Sequence, residues 1–300
     1  MINKTKNLTA SRENWAGWLF ILPNLLGYLV FKLVPIIGSF ILSFSKWNLI
    51  SGIKGIHFVG LQNYVNLWSD EWFIRSLENT LIFTFVSVPL SVSLGLVLAI
   101  VLNNKIFLKN IVRLGFYIPN IASMVAISVV WEILYLDNFG PINLFLKSIG
   151  IAHPPGWLSS THWALPSIII MSVWQVIGYN AIIFLAGLQT VPTALYEVAD
   201  IDGARPSTKF FHITIPMLSS TMFFVVVTSI IGSFQVFAQV NIMTQGGPGT
   251  ATTVLVFYIY RTAFMFGQIG YANAIGWILF FLVFMFTAIQ WKFSNRRTFT

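Results

Sequence analysis

Residues able to do charge chemistry are scarce in this chain, and they gather in one place. Glu197, Asp200, Asp202, Arg205 and Lys209 fall between Tyr196 and Met217, with long uncharged runs on either side. Their types and spacing do not spell a catalytic centre. No Gly-x-x-x-x-Gly-Lys-Ser/Thr phosphate loop is present, so nucleotide is not expected to bind by that route. His57, His153, His162 and His212 are scattered and no His-Glu-x-x-His occurs, so no metal site is expected. The chain has no cysteine, which removes disulfides, thiol nucleophiles and thiolate ligands. Glu132 is the one acid deep in an apolar run. Asp137 follows it closely, so it reads as a helix end at a membrane interface. A proton-coupled carrier would need a mid-span acid.

A segment with that charge cannot sit in hydrocarbon, so it must connect two membrane spans. Thr193 to Asp202 reads as a short helix, with Thr193 placed to cap it after Pro192. Gly203 stands where a helix C-terminus favours a left-handed residue. Pro206 suits the first turn of a second short helix.

Composition sets the frame for that loop. Hydrophobic residues make up 56% of the chain and charged residues 9%, against about a quarter charged in a soluble domain. A span needs ~20 apolar residues. The uncharged runs predict an all-α polytopic membrane protein, where a β-barrel would show short alternating segments. Six spans are expected: 15–44, 80–102, 116–135, 163–188, 215–239 and 272–291. Lys32 and Pro35 interrupt the first, which predicts a kink at Pro35 with Lys32 reaching for headgroups. The N-terminus lacks a small-residue cleavage site, so Trp15 onward reads as a retained span.

The net charge of +8 comes from basic residues scattered at span ends, which argues for membrane orientation and against nucleic acid. Lys4, Lys6, Arg12, Lys105, Lys109, Arg113, Arg205, Lys209, Lys292, Arg296 and Arg297 fall on one side. Only Lys46, Lys54, Arg75, Lys147 and Arg261 fall on the other. The first side is expected to be cytoplasmic, with a tail 1–14, the loop 193–214 and a tail 296–300 flanking and interrupting a membrane domain 15–295. The outer loops 46–79, 136–162 and 241–271 are long enough for a short helix each. They carry Trp47, Trp68, Trp72 and Trp157, with Trp163 just beyond, suited to an interfacial aromatic belt. Gln245-Gly-Gly-Pro-Gly-Thr is a turn-rich break that lets the chain turn back on the outer face.

Polar uncharged residues inside spans are the remaining clue. Gln175 and Tyr179 stand four apart on the fourth span, with Asn180 adjacent. Gly232, Ser233, Gln235, Val236 and Gln239 form a small and polar stripe on the fifth. In lipid such groups either join helices or line a cavity. Amides, hydroxyls and an aromatic face without charge suit a neutral polyhydroxylated ligand such as a sugar.

The central loop resembles the cytoplasmic signature of binding-protein-dependent ABC transporter permeases: Glu-Ala-Ala, three residues, Gly, nine residues, Ile-x-Leu-Pro. Here it reads Glu197-Val198-Ala199, Gly203, then Ile213-Thr214-Ile215-Pro216, with Val198 and Ile215 as the departures. Phe58-Val-Gly-Leu-Gln-Asn-Tyr64, Leu188-Gln-Thr-Val-Pro192 and Thr244-Gln-Gly-Gly-Pro248 are similar to the carbohydrate-type, maltose-permease-like branch. The resemblance covers roughly 15–295 and implies a type I ABC importer permease fold in a bacterial or archaeal cell (inner) membrane, surrounded by lipid. It implies as partners a second homologous permease, a cytoplasmic ABC ATPase dimer that holds ATP and Mg, and an extracytoplasmic solute-binding protein. This chain itself would bind no cofactor.

The resemblance implies that Glu197, Ala199, Asp202, Gly203 and Ala204 seat in a cleft of the ATPase, with Phe210, Phe211 and Ile213 packing the loop against the span bases. It also implies that Val176, Tyr179, Gly232, Ser233 and Val236 stand at the sugar-contacting positions of a maltose-type permease. Only Tyr179 keeps the side-chain type, and family amides are Ser233 and Val236 here, so the cargo need not be maltose.

Overall fold

The computed structural model describes residues 17–104 and 109–294. The expected tails 1–14 and 296–300 lie outside the described residues, as do the basic residues Lys4, Lys6, Arg12, Lys105, Arg296 and Arg297 and the side chain of Lys109. The chain divides into two units, Met1–Asn66 with Thr262–Trp277 and Leu67–Arg261 with Ile278–Thr300.

In the first unit α1, Gly17–Ser43, is long and apolar enough to span a membrane. Its irregularity comes before Pro35, as a π-turn over Leu29–Leu33 in which Val34 N–H bonds back to Leu29 O. Pro35 has no amide to give the preceding turn, which widens instead. The Lys32 ammonium lies 5.8 Å over the Tyr28 ring. Two short strands follow, β1 Ser45–Lys46 and β2 His57–Phe58, antiparallel with Ser45 opposite Phe58. The buried Asn63 amide ties them to the helix end by donating to Ser43 O at 2.8 Å and Ser45 O at 3.0 Å.

The second unit holds most of the chain. Its helices are α2 Glu71–Asn103, α3 Lys109–Ile121, α4 Met124–Leu134, α5 Pro141–Ser148, α6 Ala164–Leu188, α7 Thr193–Ile201, α8 Pro206–Lys209, α9 Ser219–Phe234, α10 Ala238–Met243 and α11 Leu255–Tyr260. A last helix, α12, runs Ile269–Ser294. Among the described residues five helical segments are long and apolar enough to cross a membrane, and six if the pair α3–α4 counts as one span.

The expected third span is thus not a straight rod. It bends by 98° between Ile121 and Met124. Pro119 withholds an amide from the turn before it, and Asn120 and Ser123 carry side chains that compete for backbone hydrogen bonds. Ser123 is extended, at φ −57° and ψ 127°. The second span begins at Glu71 and not near Thr80, because Asp70 caps it: its carboxylate accepts from Trp72 N and Phe73 N at 2.9 and 3.3 Å.

The buried helix of this unit is α6, packed most extensively along α2 and next along α3. Small residues permit that approach. Ser76, Thr80, Thr84, Ser87 and Ser91 make a buried hydroxyl stripe down α2 at three- and four-residue spacing, and Gly95 continues it. A Cβ on Gly95 would lie 2.7 Å from Asn180 Cβ, and one on Gly178 would lie 1.8 Å from the Phe116 carbonyl oxygen. Around these contacts sit two apolar clusters. One holds Phe83, Ile168, Met171, Val240 and Phe257, and the other Leu96, Leu102, Phe184, Leu188 and Leu218.

The outer loops are ordered by side-chain bonds. Asn143 donates to Asp137 O and Pro155 O and accepts from Trp157 Nε1 at 2.6 Å, and Trp157 stacks on Tyr135. Trp157 is half-buried and packs within this loop. After the Gln245–Thr250 turns the chain returns against α2. Asn79 donates to Thr250 O and Thr253 O, Leu255 N donates to Thr80 Oγ1, and Tyr258 donates to Asp70 at 2.5 Å.

The approach at Gly178 makes a direct test. Gly178→Ala must displace the Phe116 backbone and should cost about 1–3 kcal/mol, read as a lower thermal midpoint in detergent. Gly115→Ala, whose Cβ would meet nothing within 4 Å, should leave the midpoint unchanged or raise it.

Candidate functional site

Two places carry the residues singled out in the sequence, both within Leu67–Arg261. The first is a cavity of ≈ 260 Å³. Phe83, Ser87, Val88 and Ser91 of α2 form one wall, and Ser172, Val173, Gln175, Val176, Tyr179 and Asn180 of α6 another. Thr228, Ser229, Gly232 and Ser233 of α9 close a third side, with Val236 and Gln239 beyond it. Asn120 and Met124, on the two sides of the α3–α4 bend, complete the lining. Non-helical backbone at membrane depth is tolerated where it faces a cavity.

The structure brings Gln175, Tyr179, Gly232, Ser233, Val236 and Gln239 together here. Gln235 does not join them: it is exposed and outside the lining. It is the residue at which α9 ends, at φ −99° and ψ 12°, so the helical register carrying the stripe breaks there. Polar contacts hold the walls. Gln239 Nε2 donates to Ser172 Oγ at 3.2 Å, and Ser233 Oγ lies 3.0 Å from Thr84 Oγ1. Asn180 is 2% exposed, and its Nδ2 has no protein partner. Among the described residues no acidic or basic side chain lines the cavity.

Ser87, Ser91, Asn120, Ser172 and Thr228 are lining residues that the sequence reading passes over. Their signal was present for α2, where hydroxyls recur at helical spacing. Asn120 had no such signal, because only the bend brings it to the cavity.

The second place is the charged segment. Thr193 is the first residue of α7 and not its cap. Pro192 holds the cap position in extended conformation, with no side-chain bond. The helix ends in a Schellman turn. Gly203 N donates to Asp200 O at 3.1 Å, Ala204 N donates to Ala199 O at 2.8 Å, and Gly203 has φ +72°. This accounts for the Ala-x-x-x-Gly-Ala spacing: the left-handed position needs Gly203, and Ala199 and Ala204 close the turn across it.

Ala199 and Ala204 are accordingly half-buried, while Leu195, Glu197, Val198, Ile201, Asp202 and Gly203 are exposed. Ile201 is 86% exposed, an apolar side chain left without cover. Phe210 packs against the Leu96–Leu218 cluster with Ile215 beside it. Phe211, expected to do the same, is exposed. Ile213 is half-buried and not part of that cluster.

The chain is similar to known proteins over most of its length. Residues 81–298 match the family described as binding-protein-dependent transport system inner membrane component. The lactose transport system permease protein LacF of Rhizobium radiobacter is 37% identical, over 94% of this chain and 94% of its own. The trehalose/maltose transport system permease protein MalF of Thermococcus litoralis is 35% identical, over 97% and 98%. In fold, the chain is similar to a crystal structure of a bacterial ABC transporter involved in the import of the acidic polysaccharide alginate. The TM-score is 0.84 at 24% identity, covering 98% of this chain and 99% of that one.

Ser172→Ala leaves the buried Gln239 amide without its Ser172 partner. The loss should be about 0.6–2 kcal/mol, measured as a lower thermal midpoint, with Ser172→Thr recovering most of it.

Proposed function

The chain belongs to the family of binding-protein-dependent transport system inner membrane components, and from that premise we propose that it is the permease subunit of an ATP-driven importer for a sugar or oligosaccharide. The observation that carries the cargo class is the cavity: amides, hydroxyls and Tyr179 stand among apolar side chains in its lining, and among the described residues no charged side chain does. Sugar hydroxyls need donor and acceptor pairs, and an aromatic face packs on the apolar side of a ring. A phosphate-bearing cargo would want Arg or Lys there, and a proton-driven carrier an acid. The names of the relatives, lactose and trehalose/maltose systems, support the same class.

The volume limits what this subunit holds by itself. At ≈ 260 Å³ it lies just below the ~300–1,000 Å³ of ordinary small-molecule pockets. One sugar ring is its measure, and a longer cargo extends to the second, homologous permease. In this reading α1, α2, the bent pair α3–α4, α6, α9 with α10, and α12 are the six spans of a bacterial or archaeal cell membrane. Both termini and the 193–214 loop are cytoplasmic, as the Lys and Arg distribution supports.

ATP and Mg belong to the partner ATPase dimer, and this chain holds neither. The exposed Glu197, Val198, Ile201, Asp202 and Gly203 are the face that seats in the ATPase, with Ala199 and Ala204 shaping the turn that presents them. A loaded solute-binding protein docks on the outer side. ATPase closure moves the loop and with it the span bases, opening the pathway outward, and hydrolysis resets it.

Two measurements test this. Gly203→Asp puts a charged side chain at φ +72° in the loop's turn. Uptake of a radiolabelled sugar and co-purification of the ATPase should both collapse while the protein still inserts. Uptake that persists without the ATPase would mean a carrier in its own right. Asn180→Leu removes the unpaired amide. The thermal midpoint should hold or rise, while sugar uptake falls about tenfold, the equivalent of ~1.4 kcal/mol.

A further inference from the structure

The 193–214 segment is closed on itself by two contacts that presenting a face to a partner does not require. Asp200, on the last turn of α7, pairs with the Lys209 ammonium at the end of α8. One turn earlier, the Tyr196 hydroxyl meets Thr214 Oγ1 at 2.9 Å. Tyr196 and Asp200 are four apart on a helix, so they share a face. Lys209 and Thr214 are five apart, a spacing an α-helix does not align. The chain there is a π-turn, Phe210–Thr214, which does bring residues five apart into line. Thr214 Oγ1 also donates to Lys209 O at 3.4 Å. The result is a two-rung clamp between α7 and the stretch that leads into α9.

The surroundings give the clamp a use. Tyr196, Lys209 and Thr214 form one side of a second cavity, of ≈ 360 Å³, whose other side is the end of α2 at Asn103 and Asn104 with Leu188 of α6. Phe210 seats on the Leu96–Leu218 cluster, but around Tyr196, Lys209 and Thr214 the segment leaves free volume against those helix ends. With free volume behind it, a soft segment would absorb a push by deforming. A segment clamped at both rungs passes it on. The chain continues from Thr214 through Ile215–Met217 into α9, whose Thr228, Ser229, Gly232 and Ser233 line the first cavity.

We propose that the Asp200–Lys209 ion pair and the Tyr196–Thr214 hydrogen bond are positioning contacts for coupling, which make α7 and the root of α9 one lever. This rests on the permease reading above. The clamp sets how much transport each ATP delivers, and it is separate from the face that binds the ATPase.

The test uses the reconstituted transporter in proteoliposomes, with both permeases, the ATPase and the binding protein present. Sugar taken up per ATP hydrolysed is measured beside ATPase co-purification. Asp200→Asn and Lys209→Met should each lower that ratio roughly two- to five-fold, the scale of a partly exposed ion pair worth up to ~1 kcal/mol, with the ATPase still bound. The charge-reversed double variant, Asp200→Lys with Lys209→Asp, should recover most of it. Should a charge variant fail to assemble, Tyr196→Phe and Thr214→Val probe the other rung without altering charge and should lower the ratio likewise. An unchanged ratio in the single variants, or no recovery on reversal in an intact complex, overturns the clamp. If Gly203→Asp in the same assay also leaves uptake and ATPase binding intact, the coupling reading itself fails.

Discussion

How closely the backbone of α6 can approach its neighbours decides the rest of Leu67–Arg261. In hydrocarbon the hydrophobic effect does not drive helices together, so packing contacts and hydrogen bonds must do so. Both need small side chains at the crossing. Gly178 sits so near the Phe116 carbonyl, and Gly95 so near Asn180, that even a methyl group would collide. The hydroxyl stripe of α2 follows from the same demand. Ser and Thr are small enough for close packing, and several bond back to their own helix, as Ser76 does to Phe73 O and Thr80 to Ser76 O. A polar stripe can thus lie inside a membrane domain without leaving unpaired groups.

The cavity arises where that packing opens. Ser87 and Ser91 belong to the hydroxyl stripe of α2, which meets Leu255 through Thr80 and α9 through Thr84, and they also line the cavity. The bend at Ala122–Ser123 widens the gap on the α3–α4 side. What remains is a chamber with apolar surface from Phe83, Val88, Met124, Val173, Val176 and Val236, into which hydroxyls and amides are set. The unpaired Asn180 amide differs from the others, since Gln239 and Ser233 have partners across the walls. A buried donor without a partner costs free energy in the empty protein and favours whatever occupies the chamber and can accept from it.

Much of this was legible in the residues. Uncharged runs located the long helices because a single charge in hydrocarbon is costly. Spacing on α6 and α9 put Gln175, Tyr179 and Ser233 on inward faces, while Gln239 reaches the cavity from α10, past the end of α9. The losses have physical causes. The start of α2 was placed late because Arg75 and Glu78 look like a loop to a charge criterion, although Asp70 caps a helix there and the pair bonds across one turn. The 98° bend was invisible because apolar content reports burial and says nothing of direction. Gln235 was misplaced because periodicity was carried through a point where the helix ends. The loop was read more accurately, since Gly203 and Pro206 act through local backbone preferences that no distant contact overrides.

The loop signature can now be given a local cause. Glu-x-Ala, three residues, Gly-Ala describes a short helix, its Schellman close and the small residues that let the chain cross it. This turn points Val198 and Ile201 outward while Tyr196 and Ala199 face back toward the chain. The nine residues to Ile213 hold a second short helix and a π-turn, and that π-turn is what sets Lys209 and Thr214 opposite Asp200 and Tyr196. In the proposed reading the spacing meets two separate demands. One is a surface that another protein can grip, and the other is a connection stiff enough to transmit that grip to α9. A loop selected only for binding would meet the first without the second. The two contacts across its base, with free volume beside them, are what a transmitting element requires.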